Sequence, residues 1–218
     1  PVESLRRAWL DSLSERGHWS RLLEQVRDDD GTAVQCHATL ARIRLDRASA
    51  AELTAQGLTH WQVGRSQPEA CDPVFAWLDQ RGELTPDRII ERARLAVLAD
   101  QTGLARYLAR QLPEDRQGPI PRWLDAVANP GELRQIADLD GDIAVHVYKK
   151  LALRDLDGAG DILPSLAQRL DLDAGQHHEM QRWTALLHGQ GHNDEALTWF
   201  AKLDPARTDD FARGWHVR

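Results

Sequence analysis

Thr85-Pro86-Asp87-Arg88-Ile89-Ile90-Glu91-Arg92-Ala93-Arg94-Leu95-Ala96-Val97-Leu98 reads as an amphipathic helix from its first residue. Thr85 is a capping residue, and Pro86 follows at the first helical position, where a missing N–H costs nothing. Ile89, Ala93, Ala96 and Val97 then recur with the period of a buried helical stripe. The same spacing returns in Leu5, Trp9 and Leu13. Sustained apolar–polar alternation is missing, and β-branched and aromatic residues are sparse, so no segment reads as a strand. Arg, Ala, Leu, Gln and Glu dominate, and all are good helix formers.

Working outward, short breaks separate the stripes: Arg16-Gly17, Asp30-Gly31, Gly64, Gly82, Asp100-Gln101-Thr102-Gly103, Asn129-Pro130-Gly131, Asp140-Gly141 and Asp157-Gly158. Between them we expect about twelve to fourteen helices of roughly 8 to 17 residues. No long linker or low-complexity block intervenes, so residues 1–218 are expected to form a single domain. His18–Leu23 and Leu104–Ala109 have the length of short second helices in hairpins. Gly191-His192-Asn193-Asp194-Glu195-Ala196-Leu197-Thr198-Trp199-Phe200 resembles a tetratricopeptide phrase, with a turn glycine and a small alanine for close helix approach. The roughly 34-residue period of such arrays does not persist along the chain. The expectation is therefore an all-α fold, an irregular α-superhelix or solenoid of stacked helix hairpins.

Composition narrows the function. Of 218 residues, 42% are hydrophobic and 28% charged, a globular balance. A net charge of −7 argues against broad binding to nucleic acid, which needs a basic face. No run approaches the roughly 18 apolar residues of a membrane-spanning helix. The start at Pro1 leads us to expect a processed or truncated product, with any export signal out of view.

Other clusters carry less. Asp138, Asp140 and Asp142 alternate around Gly141 as in a calcium loop, but Ile143 and Lys149 occupy the positions of its glycine and final glutamate. An acidic helix start is the plainer reading, and Asp28-Asp29-Asp30-Gly31 is read as a capped turn. His188 and His192 stand four apart near His177-His178, but Gly189 and Gly191 are expected to break the helix that would align them. They are read as surface histidines, not zinc ligands. Cys36-His37 is no nucleophile pair, because adjacent helical residues point apart. No metal, cofactor or catalytic residue is assigned. Of the tryptophans, Trp9, Trp77, Trp183 and Trp199 are expected in the core, whereas Trp61 and Trp215 have polar neighbours suited to exposure. Pairs such as Glu91 with Arg94 are read as solvated helix faces.

The only cysteines, Cys36 and Cys71, each lie in a turn-to-helix context. Two buried thiols and a staple between helices both fit that placement.

Several phrases in order resemble the helical N-terminal region of the soluble lytic murein transglycosylases. They are Thr32-Ala33-Val34-Gln35-Cys36, His60-Trp61-Gln62-Val63-Gly64-Arg65-Ser66-Gln67-Pro68-Glu69-Ala70-Cys71-Asp72 and Ile90-Glu91-Arg92-Ala93-Arg94-Leu95-Ala96. Leu104 to Pro113 and Ile162-Leu163-Pro164-Ser165-Leu166-Ala167 continue the series, so the resemblance covers Trp19 to Ala167. In the first phrase to carry a tryptophan, His60 replaces the family's usual leucine.

The resemblance implies a periplasmic protein whose curved helical superhelix carries a separate lysozyme-like domain. That domain cleaves the β-1,4 bond of peptidoglycan without water, leaves a 1,6-anhydro sugar, uses one glutamate as acid and base, and needs no cofactor. The family's Glu-Ser signature finds only Glu3-Ser4 here, without its required surroundings. We therefore expect a fragment that lacks the catalytic domain and is inactive alone. It would be a scaffold shaping glycan-strand access, with peptidoglycan strands, and cell-wall proteins, as partners. The rival expectation is a tetratricopeptide-like interaction module of a cell-envelope complex. An oxidising periplasm turns the two cysteine readings towards a Cys36–Cys71 disulfide, because the intervening residues suit two helices and one turn.

Overall fold

The computed structural model describes residues 2–216, with the side chains of Val2 and His216 left out. The described residues form thirteen α-helices and three short 3-10 turns, and they include no strand. They fall into two compact units that meet in sequence at Gly118 and Pro119.

The first unit holds α1 (Val2–Glu15), α2 (Trp19–Leu23), α3 (Thr32–Leu45), α4 (Ala50–Trp61), α5 (Asp72–Gln80), α6 (Pro86–Leu98) and α7 (Thr102–Ala109). α3 is its centre, packing on α1, α2, α4 and α5. It therefore buries residues around much of its circumference, including Val34, Cys36, Ala38, Thr39, Leu40 and Ala41. Leu10 and Leu13 of α1 and Leu22 of α2 close one core cluster against Val34, Ala38 and Ala41. The small alanines permit that approach. Across α4, Gly57 faces Val74 and Leu78 of α5, so close that an added Cβ would lie 3.0 Å from Leu78.

Helix starts follow the local chemistry. Thr85 accepts from the Arg88 N–H ahead of Pro86, as the sequence predicts. Ser49 and Glu52 make a reciprocal capping box at α4. The acidic turn before α3 works differently from the expected cap. Gly31 is the N-cap and contributes no side chain. Asp30 instead accepts from the Arg27 backbone and pairs with Arg6 of α1, which holds its carboxyl below the usual range.

The sequence leaves two thiol readings open, and the structure joins Cys36 to Cys71 in a disulfide. It ties α3 to the 3-10 turn Glu69–Cys71 that leads into α5, and both cysteines are fully buried.

The second unit holds α8 (Ile120–Ala128), α9 (Gly141–Ala152), α10 (Leu156–Arg169), α11 (Ala174–Gln190), α12 (Ala196–Ala201) and α13 (Asp210–His216). α9 and α11 are its main contacts, joined by the fully buried Tyr148. Thr184 donates to the Met180 carbonyl, so the Tyr148 hydroxyl donates to Thr184 at 2.6 Å. The three alternating aspartates take separate tasks. Asp140 caps α9, Asp138 pairs with Arg122, and Asp142 accepts from Gln176.

Two tryptophan expectations are reversed. Trp61 is 5% exposed, whereas Trp9 is 37% exposed. Sequence neighbours mislead at Trp61, because its cover comes from α5 and α6. At α1 the buried stripe keeps Leu13 but runs through Leu10, which leaves Leu5 and Trp9 on the outer side.

Candidate functional site

Arg92 lies on the apolar face of α6, between Ile89 and Ala96 in helical register. It is 4% exposed. Its guanidinium carbon stands 3.9 Å from the centre of the Trp61 ring and 5.5 Å from that of Phe75. Trp61, which ends α4, meets Phe75 of α5 edge-on with centroids 5.1 Å apart. Two aromatic faces from two helices thus hold the planar cation by cation–π attraction, which reaches about 2 kcal/mol where water is excluded. Burial pushes the Arg92 pKa down to about 10, partly opposed by Tyr107, so the group stays charged at neutral pH.

The arrangement leaves hydrogen-bonding capacity unused. Arg92 Nε and Trp61 Nε1 are both buried without partners. An unmet buried donor costs about 1–3 kcal/mol. Beside them lies an open cavity of about 790 Å³, lined also by Gln67, Asp72, Asp79 and Tyr107. Tyr107 of α7 is 52% exposed, leaving its ring available at the edge. Aromatic faces, a buried cation and side-chain amide and carboxylate groups suit a ligand that offers apolar ring faces together with anionic or hydroxyl oxygens.

One glycine sets the cavity wall. The chain after α4 crosses α6 so closely at Gly64 that a Cβ there would lie 2.2 Å from the Leu95 carbonyl oxygen. That crossing carries Ser66 and Gln67 to the cavity, and the disulfide at Cys71 fixes the segment's far end.

Sequence reasoning missed Arg92 as a site residue and misplaced Trp61. The signal was present: Ile89, Arg92, Ala93 and Ala96 share one helical face, so the period put an arginine where an apolar residue belongs.

A second constellation brings together the residue types of nucleophilic catalysis. His37 Nδ1 lies 2.8 Å from Ser14 Oγ, and its Nε2 lies 3.4 Å from Asp11. Ser14 is buried inside α1, at 6% exposure, and the group ties α1 to α3 instead of presenting a nucleophile to substrate. Cys36, next to His37 in sequence, is held in the disulfide and offers no thiolate.

No protein-family profile matches the chain. Over 207 residues it is 30% identical to the soluble lytic murein transglycosylase of Escherichia coli (strain K12), taking in 91% of this chain and 32% of that protein. Among solved structures, the lytic transglycosylase Slt of Pseudomonas aeruginosa, in an inactive mutant form, superposes with a TM-score of 0.81 at 25% identity. The chain is similar to part of the soluble lytic murein transglycosylases. The Slt match covers 99% of this chain and 36% of that one. The 70 kDa soluble lytic transglycosylase of Escherichia coli gives a TM-score of 0.68 at 26% identity, over 100% of this chain and 34% of that one. The chain spans about a third of the length of the curated transglycosylases it matches. Among the described residues, no helix is long and apolar enough to cross a membrane.

Proposed function

We propose that the chain is a non-catalytic helical region of a periplasmic peptidoglycan lytic transglycosylase. In this reading it is a helical scaffold that shapes how glycan strands approach an active site on another part of the enzyme. The observation that carries it is the buried Arg92 guanidinium on Trp61, with an unmet Nε beside an open cavity. Peptidoglycan offers sugar ring faces for Tyr107 and stem-peptide carboxylates for a cation. Relatives that bear the name murein transglycosylase support that polymer as the partner. A fully buried disulfide supports an oxidising compartment such as the periplasm.

Titration with soluble, uncrosslinked glycan–peptide fragments, followed by tryptophan fluorescence and calorimetry, tests the reading. Tyr107→Ala should weaken binding about tenfold, the loss of roughly 1.4 kcal/mol of ring contact, without changing the circular dichroism. Amidating the fragments' free carboxylates should weaken it further by removing the charge that Arg92 meets. Equal affinity of the wild type and Tyr107→Ala would place binding elsewhere or remove it.

A further inference from the structure

His188 stands in the last turn of α11, which continues through Gly189 to Gln190 instead of breaking there. Gly189 serves close packing, since an added Cβ would lie 3.2 Å from the Phe200 ring. His188 is accordingly not a surface histidine but 1% exposed. Trp199 of α12 stacks on its imidazole, with centroids 6.1 Å apart and 11° between the planes. Gly160 of α10 leaves room for that indole, because a Cβ there would come within 2.8 Å of it. The indole, seated against Gly160, thus lies nearly parallel to the His188 ring.

Neither ring nitrogen of His188 has a hydrogen-bond partner. A neutral imidazole carries one donor and one acceptor, and a buried polar atom left unmet needs an explanation, a bound water or ion among them. Nε2 lies 3.8 Å from Glu195 Oε2, beyond hydrogen-bond reach. Asp157, in the first turn of α10, completes the group, and one ligand atom from each of the three residues lies within 4.8 Å of the others. His178 is also buried without partners, but it joins no such cluster among the described residues.

We propose that Asp157, His188 and Glu195 form a zinc(II) site in the second unit. Zinc–nitrogen and zinc–oxygen distances place neighbouring ligands roughly 3.3 Å apart in a tetrahedron. Asp157 and Glu195 are exposed, so side-chain rotation can close the remaining distance around the buried imidazole. Water takes the fourth position. One imidazole nitrogen with two carboxylate oxygens suits zinc and falls well short of the six to eight oxygens calcium takes. The ion joins the start of α10, the end of α11 and the segment entering α12. It staples the second unit, as the disulfide staples the first. The proposal stands on this cluster alone and is independent of peptidoglycan binding.

The test uses the whole chain, stripped with a chelator and titrated with zinc against a chromophoric competitor. Cobalt(II) absorption reports the ligand field. One equivalent of zinc per chain should bind, and Asp157→Asn and Glu195→Gln should each weaken it tenfold or more. Both variants change exposed side chains and keep the wild-type circular dichroism, so the result does not depend on the buried His188. His177→Gln should leave the affinity unchanged. Absence of stoichiometric binding overturns the proposal, as does affinity that both carboxylate variants leave intact or that His177→Gln abolishes.

Discussion

Replacing both Cys36 and Cys71 by alanine should lower the thermal midpoint of the first unit by on the order of 10–15 °C. The bond closes a loop with a sequence separation of 35 residues. On the chain-entropy account, opening such a loop releases about 4 kcal/mol of unfolded-state freedom at room temperature. The double replacement also removes two fully buried sulfur atoms beside the tightly packed α3. Thermal scans of oxidised wild type, reduced wild type and the double variant separate these effects. Reduction alone should account for most of the shift. Thiol titration under denaturing, non-reducing conditions should find no free thiol in protein exported to an oxidising compartment. Two free thiols there would remove the staple and its support for periplasmic residence.

Gly64→Ala should cost about 3 kcal/mol, at the upper end for forcing atoms into a packed interior. Its Cβ would meet the backbone of α6, at 2.2 Å from the Leu95 oxygen and 2.6 Å from its carbonyl carbon. Neither atom can turn aside as a side-chain end would. The chain after α4 must lift, displacing Gln67 from the cavity and loosening the cover of Arg92. Gly103→Ala provides the contrast. An added Cβ meets nothing within 4 Å there, and the position is the second residue of α7, so alanine should stabilise by about 0.5 kcal/mol by restricting the unfolded chain. Urea denaturation of the two variants against wild type measures both. A Gly64→Ala variant as stable as wild type would mean that the crossing is looser than described.

The helical architecture was legible because its signals are local. Thr85-Pro86 marks the start of α6, and Ile89, Ala93, Ala96 and Val97 carry the buried face. Asp140 likewise caps α9 within its own turn. The candidate site depends on contacts distant in sequence, and there the reading failed. Trp61 stands between polar neighbours, but Arg92 and Phe75 cover it from other helices. Arg92 interrupts an apolar stripe, and nothing local names the Trp61 and Phe75 rings that cover it. At Gly189 the residue type was taken as a break, when its missing side chain makes room for Phe200. Asp30 shows the same limit, since its partner Arg6 lies on the preceding helical hairpin. Periodicity reports which face is buried, but not what buries it.

The central claim, a helical region that engages peptidoglycan without cleaving it, is tested most directly on purified murein sacculi. The isolated chain is incubated with sacculi, which are then sedimented. Bound protein is measured in the pellet and 1,6-anhydro-muropeptides in the supernatant. The account predicts that the chain pellets with sacculi, that Tyr107→Ala pellets less, and that no anhydro product rises above background. Release of anhydro-muropeptides that disappears on changing one carboxylate of this chain would contradict it, as would a chain that stays in the supernatant.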